Sequence, residues 1–506
     1  MKKKALFSLY KDDEVEKFAR SLCSLGWEII ASKETYDILS KKGIPVINIA
    51  EFVGIKQDYG FPPTLHPKIE ANLTCSKGER IDLVYVIPYP LSVGNDIGGR
   101  TLLALAAKGR RIPVMSSADM GRVISTLKRF GKIPQNLHSM LLNKTNALIA
   151  SHFDDLIKER GSYDFIAGEF QYGLCNGENP YQIPAELFSI KKQDSLSLHN
   201  FRRLSGEIPC FTNLADSDSI IQTLCLASEA FKLRYKKIPY ICIVAKHGNA
   251  CGMAISWHAA PEAVNKALFG NPRSIWGGEV AVNFTVDKII ASLLYKSKKR
   301  EKMLNDSAWM LDIILAPKFT REAVGILGNR KHRKLLENKA LSSPYLALFK
   351  DGYRFVRGGF LRQPQNNFVF DVRKTEVAGS RLNRHIIDSL NIAWSVAWSS
   401  NHGGNEVAIA KDSQLLSVGG GPSTVEAASA AVIKAQECGH NLENSVFAAN
   451  AFFPFIDAPE ILANAGLRVG IVPEGGKRES LVKKFFHEKR ITMVYLPERY
   501  RGFSRH

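Results

Sequence analysis

The first part of the chain alternates short apolar runs with amphipathic stretches, a pattern typical of strands and helices in turn. Strands are predicted at five of these runs, 5–9, 28–31, 45–49, 82–87 and 112–115. After the first run, apolar residues recur at helical spacing and predict one buried helix face, formed by Val15, Phe18, Ala19, Leu22 and Leu25. This alternation indicates a parallel sheet with helices on both faces, which we assign to a first domain over residues 1–150.

A helical stretch over 133–160 leads out of this domain, and the alternation of strands and helices returns after residue 200. Buried strands are predicted there at 239–245, 279–284, 311–316, 406–410 and 468–472. Glycine-rich turns separate these strands. The length of this region fits two lobes of similar size, which we place at 151–370, including a linker, and at 371–506.

Length and composition fit a globular protein of about three domains. The chain has 506 residues, of which 45% are hydrophobic and 23% charged. The N-terminal stretch lacks the apolar core of a signal peptide, and no apolar run reaches membrane-spanning length. The eight cysteines are scattered without a Cys-x-x-Cys pair, which favours reduced thiols over a zinc ribbon or a disulfide framework. We therefore expect a cytoplasmic protein that does not contact a membrane.

The formal net charge of +19 indicates anionic partners. Nucleic acid, phosphorylated metabolites and polyglutamylated folates all qualify. Nucleic-acid binders usually concentrate their charge on one face or tail, whereas Lys and Arg are spread along this chain with some enrichment in the last thirty residues. The excess charge therefore indicates a solvated surface with anion-binding pockets, and we expect no nucleic-acid partner.

The most informative stretch is 239–252, PYICIVAKHGNACG. A β-branched apolar strand ends there in Lys246 and His247, followed by small residues that let a ligand approach the backbone. An imidazole can accept a proton near neutral pH, and an adjacent ammonium can stabilise developing negative charge. The alternative is that Lys246 is solvated and His247 makes a loop hydrogen bond.

Two further stretches allow both a functional and a structural interpretation. The triple glycine of GGGPST, residues 419–424, could cradle an anion at a helix N-terminus or form a tight turn, and it lacks Walker A and dinucleotide spacing. In NAFFPF, residues 450–455, Pro454 excludes both helix and central strand, so its phenylalanines could wall a heterocycle pocket or fill a core. The zinc-deaminase signature does not occur in the sequence.

Taken in order, these stretches resemble the bifunctional AICAR formyltransferase / IMP cyclohydrolase family of purine biosynthesis along essentially the whole chain. The matching stretches are GIPV (43–46), TLHP (64–67), DLVYVIPYP (82–90), NDIGG (95–99), LAAK (105–108), GENPYQ (177–182), VAKHGNACG (244–252), PRSIWGGEVAVN (272–283), DIILAP (312–317), GGFLRQ (358–363), GNEVAIAKD (404–412) and NAFFPF (450–455).

The resemblance implies an α/β fold in which a methylglyoxal-synthase-like parallel-sheet domain precedes two cytidine-deaminase-like lobes that hold no zinc. It also implies an intertwined homodimer with formyltransferase sites at the subunit interface. The implied reaction transfers a formyl group from 10-formyltetrahydrofolate to the 5-amino group of AICAR ribotide. The N-terminal domain then closes the product to IMP, the ring closure of de novo purine biosynthesis.

The resemblance also assigns roles in formyl transfer. His247 matches the general base, Lys246 matches the cation beside the oxyanion and the departing folate nitrogen, and Asp312 and Asn405 match positioning groups. The other implied substrate-binding residues are Asn179, Gln182, Gly278, Gly359, Phe453, Pro454 and Arg501. Acyl transfer needs a base, oxyanion stabilisation and orientation, so we expect no catalytic metal.

In the N-terminal domain, Tyr89, Asp96 and Lys108 match catalytic positions of the cyclohydrolase, and Thr64 matches a substrate-binding position. This reaction joins two groups of one molecule with loss of water, so it depends mainly on orientation and proton transfer.

Several anchors for phosphate differ from the family pattern. The family's Ser-Thr-Gly-Gly-Thr loop is replaced by residues 31–35, ASKET, its Arg-Val-Lys by 61–63, FPP, and its Arg-Tyr before Gly-Glu-Asn-Pro by Cys175 and Asn176. Pro422 and Thr424 replace a glutamine and an arginine. Charge-assisted contacts to phosphate are strong, so the loss of these residues should affect binding. Either the substrate lacks a phosphate, or other cations bind the phosphate. The candidates for that role are Lys33, Arg100, Arg110 and Arg362.

Three hypotheses follow from the sequence. The first is a formyltransferase of this family with an uncertain cyclohydrolase domain. The second is a divergent paralogue that only transfers formyl groups, or that acts on a different, unphosphorylated amine. The third, a catalytically dead scaffold or a nucleic-acid binder, conflicts with the retention of Lys246, His247, Asp312 and Asn405 and with the scattered charge.

Overall fold

The structure is a computed structural model that describes residues 2–11, 14–57, 59–75, 78–160, 163–190, 194–347 and 351–502. It forms two compact units, Met1–Ala167 and Gly168–His506. The predicted domain boundary after residue 150 falls inside the last helix of the first unit, so that unit extends beyond the predicted domain. The division near residue 370 stays a prediction.

The first unit is built on a five-stranded parallel sheet with the order β3-β2-β1-β4-β5. Its strands are β1 Lys4–Leu9, β2 Glu28–Ala31, β3 Ile47–Asn48, β4 Leu83–Ile87 and β5 Ile112–Val114. Its helices are α1 Val15–Ser24, α2 Lys33–Lys41, α3 Ile49–Val53, α4 Pro67–Thr74, α5 Ile97–Lys108, α6 Ser117–Phe130 and α7 Gln135–Arg160. Alternate residues of β1 face two separate cores, which α1 and α6 cover on one face and α4 and α5 on the other.

The second unit contains a twelve-stranded mixed sheet and two separate hairpins. Its strands are β6 Glu169–Gly173, β7 Glu186–Ser189, β8 Arg202–Ser205, β9 Tyr240–Lys246, β10 Asn249–Ser256, β11 Gly278–Val282, β12 Leu311–Ala316, β13 Lys334–Glu337, β14 Asp351–Val356, β15 Gly359–Pro364, β16 Glu376–Ala378, β17 Asn405–Lys411, β18 Gln414–Gly421, β19 Val446–Ala449, β20 Val469–Pro473 and β21 Thr492–Leu496. Its helices are α8 Phe211–Tyr235, α9 Ala260–Leu268, α10 Lys288–Tyr295, α11 Lys298–Leu304, α12 Arg321–Leu327, α13 Arg384–Ser399, α14 Thr424–Glu437, α15 Asp457–Asn464 and α16 Glu479–Glu488.

The large sheet has the order β16-β21-β20-β19-β17-β18-β10-β9-β11-β12-β13-β8, which is an internal repeat. In each half a hairpin is followed by one antiparallel, two parallel and one antiparallel pairing. The halves join through the antiparallel pair β10–β18. Helices α8 and α13 share one core on one face of the sheet. On the other face, α9, α10 and α12 form the core of one half, and α14, α15 and α16 form the core of the other.

The predicted strands are all present, with local differences. Strand β3 covers only Ile47–Asn48, because Pro45 has no N–H to donate to a ladder. Leu25 lies at the C-cap of α1 and is 37% exposed, so it does not belong to the buried face of that helix. No helix in the described part of the chain has the length and apolar character needed to cross a membrane.

The triple glycine is a strand rather than an anion cradle or a turn. Gly419, Gly420 and Gly421 end β18, and Ser423 caps α14 with Glu426 in a capping box. A Cβ on Gly419 would lie 2.3 Å from the carbonyl oxygen of Ala427, so the strand needs glycine to lie directly under the helix.

Candidate active site

The Lys-His pair lies at the turn of the β9–β10 hairpin. Lys246 pairs with Asn249, and the two residues between them, His247 and Gly248, have φ of 53° and 69°. Positive φ at both positions is the conformation of a type I′ turn. A Cβ on Gly248 would lie 2.8 Å from the Ser219 side chain on α8, so the turn is packed tightly while His247 stays exposed.

Lys246 and Asp312 approach the same glycine at this edge of the sheet. The Lys246 Nζ donates a hydrogen bond of 2.8 Å to the carbonyl oxygen of Gly277. A Cβ on Gly277, which has φ of +70°, would lie 2.8 Å from that Nζ and 3.6 Å from the Asp312 Oδ2. The structure thus brings together Lys246, Asp312 and Gly278, which follows Gly277. Trp276, which the sequence analysis did not select, is exposed beside them.

A buried carboxyl pair lies behind Lys246 and was also missed. Glu279 on β11 is 2% exposed and hydrogen-bonds to Asp216 on α8. Burial and the nearby negative charge of Asp216 raise the pKa of Glu279 to about 9, against a smaller opposing effect of Lys246. Glu279 is therefore protonated at neutral pH. Its position in the apolar run GEVAV was the sequence signal for a buried acid.

The raised pKa of Glu279 makes folding stability depend on pH. The folded pKa lies above the ordinary value of 4.5, so the free energy of unfolding falls as pH rises from 4.5 to about 9. Glu279→Gln keeps a donor for Asp216 without a titrating proton. We expect this variant to equal the parent at about pH 4 and to exceed it by on the order of 2 kcal/mol at about pH 8. Urea unfolding of both proteins at both pH values measures this difference in the free energy of unfolding. The same pH dependence in the variant and the parent would contradict the prediction.

The second half of the sheet adds Asn405 to the same edge. Because β10 runs antiparallel to β18, the start of β17 and the end of β18 lie beside the His247 turn. The Asn249 Oδ1 accepts a hydrogen bond of 2.8 Å from the Asn401 N–H, which ties the two halves together there. The Asn405 side chain donates to the carbonyl oxygens of Gly421 and Pro422 at 3.2 and 2.9 Å.

The residues of NAFFPF divide between core and edge. Phe453 is 2% exposed and packs against Phe447 and Phe486, so most of its ring lies in the core of this half of the sheet. Pro454 is partly exposed, and the Phe452 ring lies 5.4 Å from the Arg501 guanidinium carbon. Gly502, the residue after Arg501, donates from its N–H to the carbonyl oxygen of Asn450 at 3.1 Å. This hydrogen bond holds the segment that contains Arg501 at this edge.

Three predicted substrate-binding residues lie on the separate hairpins. Asn179 and Gln182, in the loop between β6 and β7, bind each other through the Gln182 Oε1 at 2.8 and 2.9 Å. Gly359 begins β15. Among the described residues, neither hairpin pairs with the twelve-stranded sheet, and the substrate-binding role of these three residues stays a prediction.

In the first unit, Thr64, Tyr89 and Asp96 come together near the carboxyl end of β4. Asp96 caps α5 and accepts hydrogen bonds from the N–H groups of Gly99 and Tyr89 at 2.7 and 3.3 Å. A Cβ on Gly98 would lie 2.6 Å from the Thr64 Oγ1, so Thr64 lies directly against this helix start.

Lys108 does not join this cluster. It ends α5, whereas Asp96 precedes its first residue, and a helix of this length separates its ends by about 18 Å. The Lys108 side chain is exposed and its Nζ lies 3.6 Å from a Glu70 oxygen. Helix geometry thus separates two residues that the resemblance assigned to one site.

The replaced glycine loop is a helix start here. Ser32 precedes α2, and the buried Thr35 Oγ1 accepts a hydrogen bond of 3.0 Å from the Leu9 N–H. Of the proposed replacement cations, Arg100 lies in the Asp96 cluster and donates to the carbonyl oxygens of Asp96 and Tyr89 at 3.0 and 3.4 Å. Burial lowers the pKa of Arg100. Arg110 lies beyond the opposite end of α5.

Eight cysteines of the structure are free thiols. Among the described residues, no group of three or more His, Cys, Asp and Glu side chains is arranged to hold a metal ion. The expectation that catalysis needs no metal stays a prediction.

A parallel-sheet unit followed by a repeated mixed sheet with a Lys-His turn defines a two-part α/β enzyme. The family model of the MGS-like domain matches residues 14–115. The family model of the AICARFT/IMPCHase bienzyme matches residues 109–434, more than half of the chain. The chain therefore belongs to the AICARFT/IMPCHase bienzyme family. The family and the fold class predicted from the sequence are confirmed.

Individual relatives extend this match to nearly the whole chain. The bifunctional purine biosynthesis proteins PurH of Persephonella marina and Caldicellulosiruptor saccharolyticus are 29% and 28% identical, over 98% of this chain and 98% of each relative. PurH of Bacillus subtilis is 27% identical over 97% of this chain and 98% of its own length. The solved structure of ForH is 24% identical and covers 31% of this chain and 98% of its own, with a TM-score of 0.29.

Proposed function

We propose that the second unit transfers a formyl group from 10-formyltetrahydrofolate to the 5-amino group of AICAR ribotide, and that the first unit closes the product to IMP in de novo purine biosynthesis. The observation that carries the proposal is the convergence of Lys246, His247, Asp312 and Asn405 at one edge of the large sheet. Family membership supports the same reaction.

In formyl transfer the ring-conjugated amine is a weak nucleophile and needs a base to remove its proton. His247 is exposed on a rigid turn and serves as this base. The Lys246 ammonium stabilises the oxyanion that forms when the amine attacks the formyl carbon. Asp312 and Asn405 fix the positions of the two substrates, and Trp276 offers an exposed aromatic face beside them for the pterin.

In ring closure both reacting groups belong to one molecule, so binding in the correct conformation supplies much of the rate. Thr64, Tyr89 and Asp96 form the cluster that would orient this substrate. Arg100 donates to the backbone of this cluster, which supports assigning the anchoring of the phosphate to it.

Arg100→Leu tests this anchor. We expect the KM of ring closure to rise about 10- to 100-fold, because a charge-assisted hydrogen bond contributes about 1.5–3 kcal/mol. Arg110→Leu, at the far end of α5, is the matched control and should leave the KM unchanged. Equal KM values for both variants would remove Arg100 from the phosphate site.

The reaction itself is tested by giving the purified protein 10-formyltetrahydrofolate and AICAR ribotide. Tetrahydrofolate release and IMP formation are followed separately. Both signals together support the full proposal, and folate release alone assigns activity only to the second unit. Folate binding without transfer indicates a different acceptor amine, and tight, salt-sensitive binding of nucleic acid in place of activity would overturn the enzyme assignment.

We further propose a homodimer, with a cytoplasmic location that follows from the substrates. The β14–β15 hairpin exposes Phe355 at 73% and Leu361 at 59%, and the β6–β7 hairpin exposes Phe170 and Phe188. Apolar side chains at such density on extended hairpins are typical of subunit contacts. Sedimentation of the purified protein measures this, and a monomer at micromolar concentration would contradict it.

A further inference from the structure

A second imidazole, His402, lies at the same edge of the large sheet and is held by a buried carboxylate. The His402 Nδ1 and the Glu406 Oε2 are 2.8 Å apart. The backbone N–H of His402 also donates to the other oxygen of Glu406. The Glu406 side chain is fully buried, whereas 22% of the His402 side chain is exposed. In the tautomer that donates from Nδ1 to this carboxylate, Nε2 is the atom that can exchange a proton.

The residue before His402 is hydrogen-bonded to the His247 turn. The Asn401 N–H donates to the Asn249 Oδ1 at 2.8 Å, and the Asn249 Nδ2 donates to the His247 carbonyl oxygen at 3.2 Å. His402 follows Asn401 in the chain. The two imidazoles therefore flank one short hydrogen-bonded link between the two halves of the sheet.

The surroundings of the pair are built for it. A Cβ on Gly420 would lie 2.5 Å from the His402 Cβ and 2.6 Å from the Glu406 Oε1, so only glycine fits at that position. The Glu406 N–H donates to the Asn450 Oδ1 at 2.8 Å, and the Asn450 Nδ2 donates to the Gly404 carbonyl oxygen at 3.1 Å. A buried carboxylate costs free energy unless it is hydrogen-bonded, and packing alone does not require one here.

We propose that His402 is a second proton-transfer group of the formyl transfer, and that Glu406 is its positioning residue. The proposal rests on the formyl transfer proposed above. In that reaction the bond between the folate N10 and the formyl carbon breaks, and a bond between this carbon and the amine nitrogen forms. The amine loses one proton and N10 gains one, so the reaction uses one base and one acid.

His247 accepts the proton of the amine, and the protonated Nε2 of His402 gives a proton to the departing N10. After one turnover His247 is protonated and His402 is neutral. Proton exchange with water restores both rings, so no further reactant is consumed. One imidazole on each side of the Asn249–Asn401 link allows acceptance and donation without movement of a single ring.

The test uses the full-length protein and the variants His402→Ala, Glu406→Gln and the double variant. We expect His402→Ala to lower kcat about 100-fold, with little change in the Kd of tetrahydrofolate. Free imidazole should restore part of this rate, whereas pyrazole, a ring of the same size that is a much weaker base, should not. The double variant should be no slower than His402→Ala, because Glu406 acts through His402.

The matched control is His385→Gln, an exposed histidine at the other end of α13, which should keep the parent rate. A His402→Ala rate within about threefold of the parent would overturn the proposal. Equal rescue by both rings, rescue by neither, or additive losses in the double variant would do the same, since each indicates a merely structural role. A parent protein without formyl transfer would overturn both proposals, whereas an active parent with a fully active His402→Ala overturns only this one.

Discussion

Replacing His247 by asparagine is expected to lower kcat of formyl transfer about 1,000-fold and to leave the affinity for 10-formyltetrahydrofolate nearly unchanged. Asparagine tolerates positive φ and favours the type I′ turn when glycine follows, so the variant retains the hairpin. It removes the group that accepts the proton of the amine. Single-turnover rates and folate binding, measured side by side, separate chemistry from binding.

The internal repeat supplies a matched control for this variant. Asp412 has φ of 49° and occupies the corresponding turn position of the β17–β18 hairpin, at the opposite end of the sheet. Asp412→Asn should therefore keep the parent rate. Full transfer activity in His247→Asn would remove His247 from the mechanism, and equal losses in both variants would indicate damage to the sheet.

Replacing Lys246 by methionine should lower kcat about 100- to 1,000-fold, the usual loss when one group that stabilises an oxyanion is removed. Methionine matches the length of the lysine stem but carries no charge and cannot donate to the Gly277 carbonyl oxygen. The loss of the cation also leaves Glu279 without its positive neighbour, which favours the protonated form of this carboxyl further.

The control for this variant is Lys411→Met, because Lys411 ends β17 as Lys246 ends β9. The Lys411 Nζ contacts carbonyl oxygens at the opposite end of the sheet, 2.6 Å from that of Glu443. The Lys411→Met variant should keep the kcat of the parent protein. A kcat of Lys246→Met within about threefold of the parent would contradict the oxyanion role.

The elements of the fold could be predicted because each depends on local patterns. Apolar runs of strand length predicted β1, β4, β9 and β12 at their observed places. The joining of two hairpins through β10 and β18 is a contact between distant parts of the chain, and no local pattern contains it. Two similar lobes were expected from the sequence, but the strand pairing that joins them was not.

The candidate site divides along the same line. Lys246 and His247 could be selected because they end a strand and begin a turn. Glu279 and Glu406 stand in apolar strands, and their partners Asp216 and His402 could be assigned only once the chain was folded. Phe453 was selected as a pocket wall, and its packing against Phe486 in the core could be assigned only once the chain was folded.

The pairing of β10 with β18 also determines when a newly synthesised chain can form its active site. During translation, Lys246 and His247 are synthesised long before β17 and β18. A nascent chain that ends between them therefore contains only half of the residues at this edge of the sheet. Translation must pass the second hairpin before the missing neighbours arrive. Premature termination anywhere in the intervening stretch thus yields a polypeptide that contains Lys246 and His247 but lacks Asn405, and its site is incomplete.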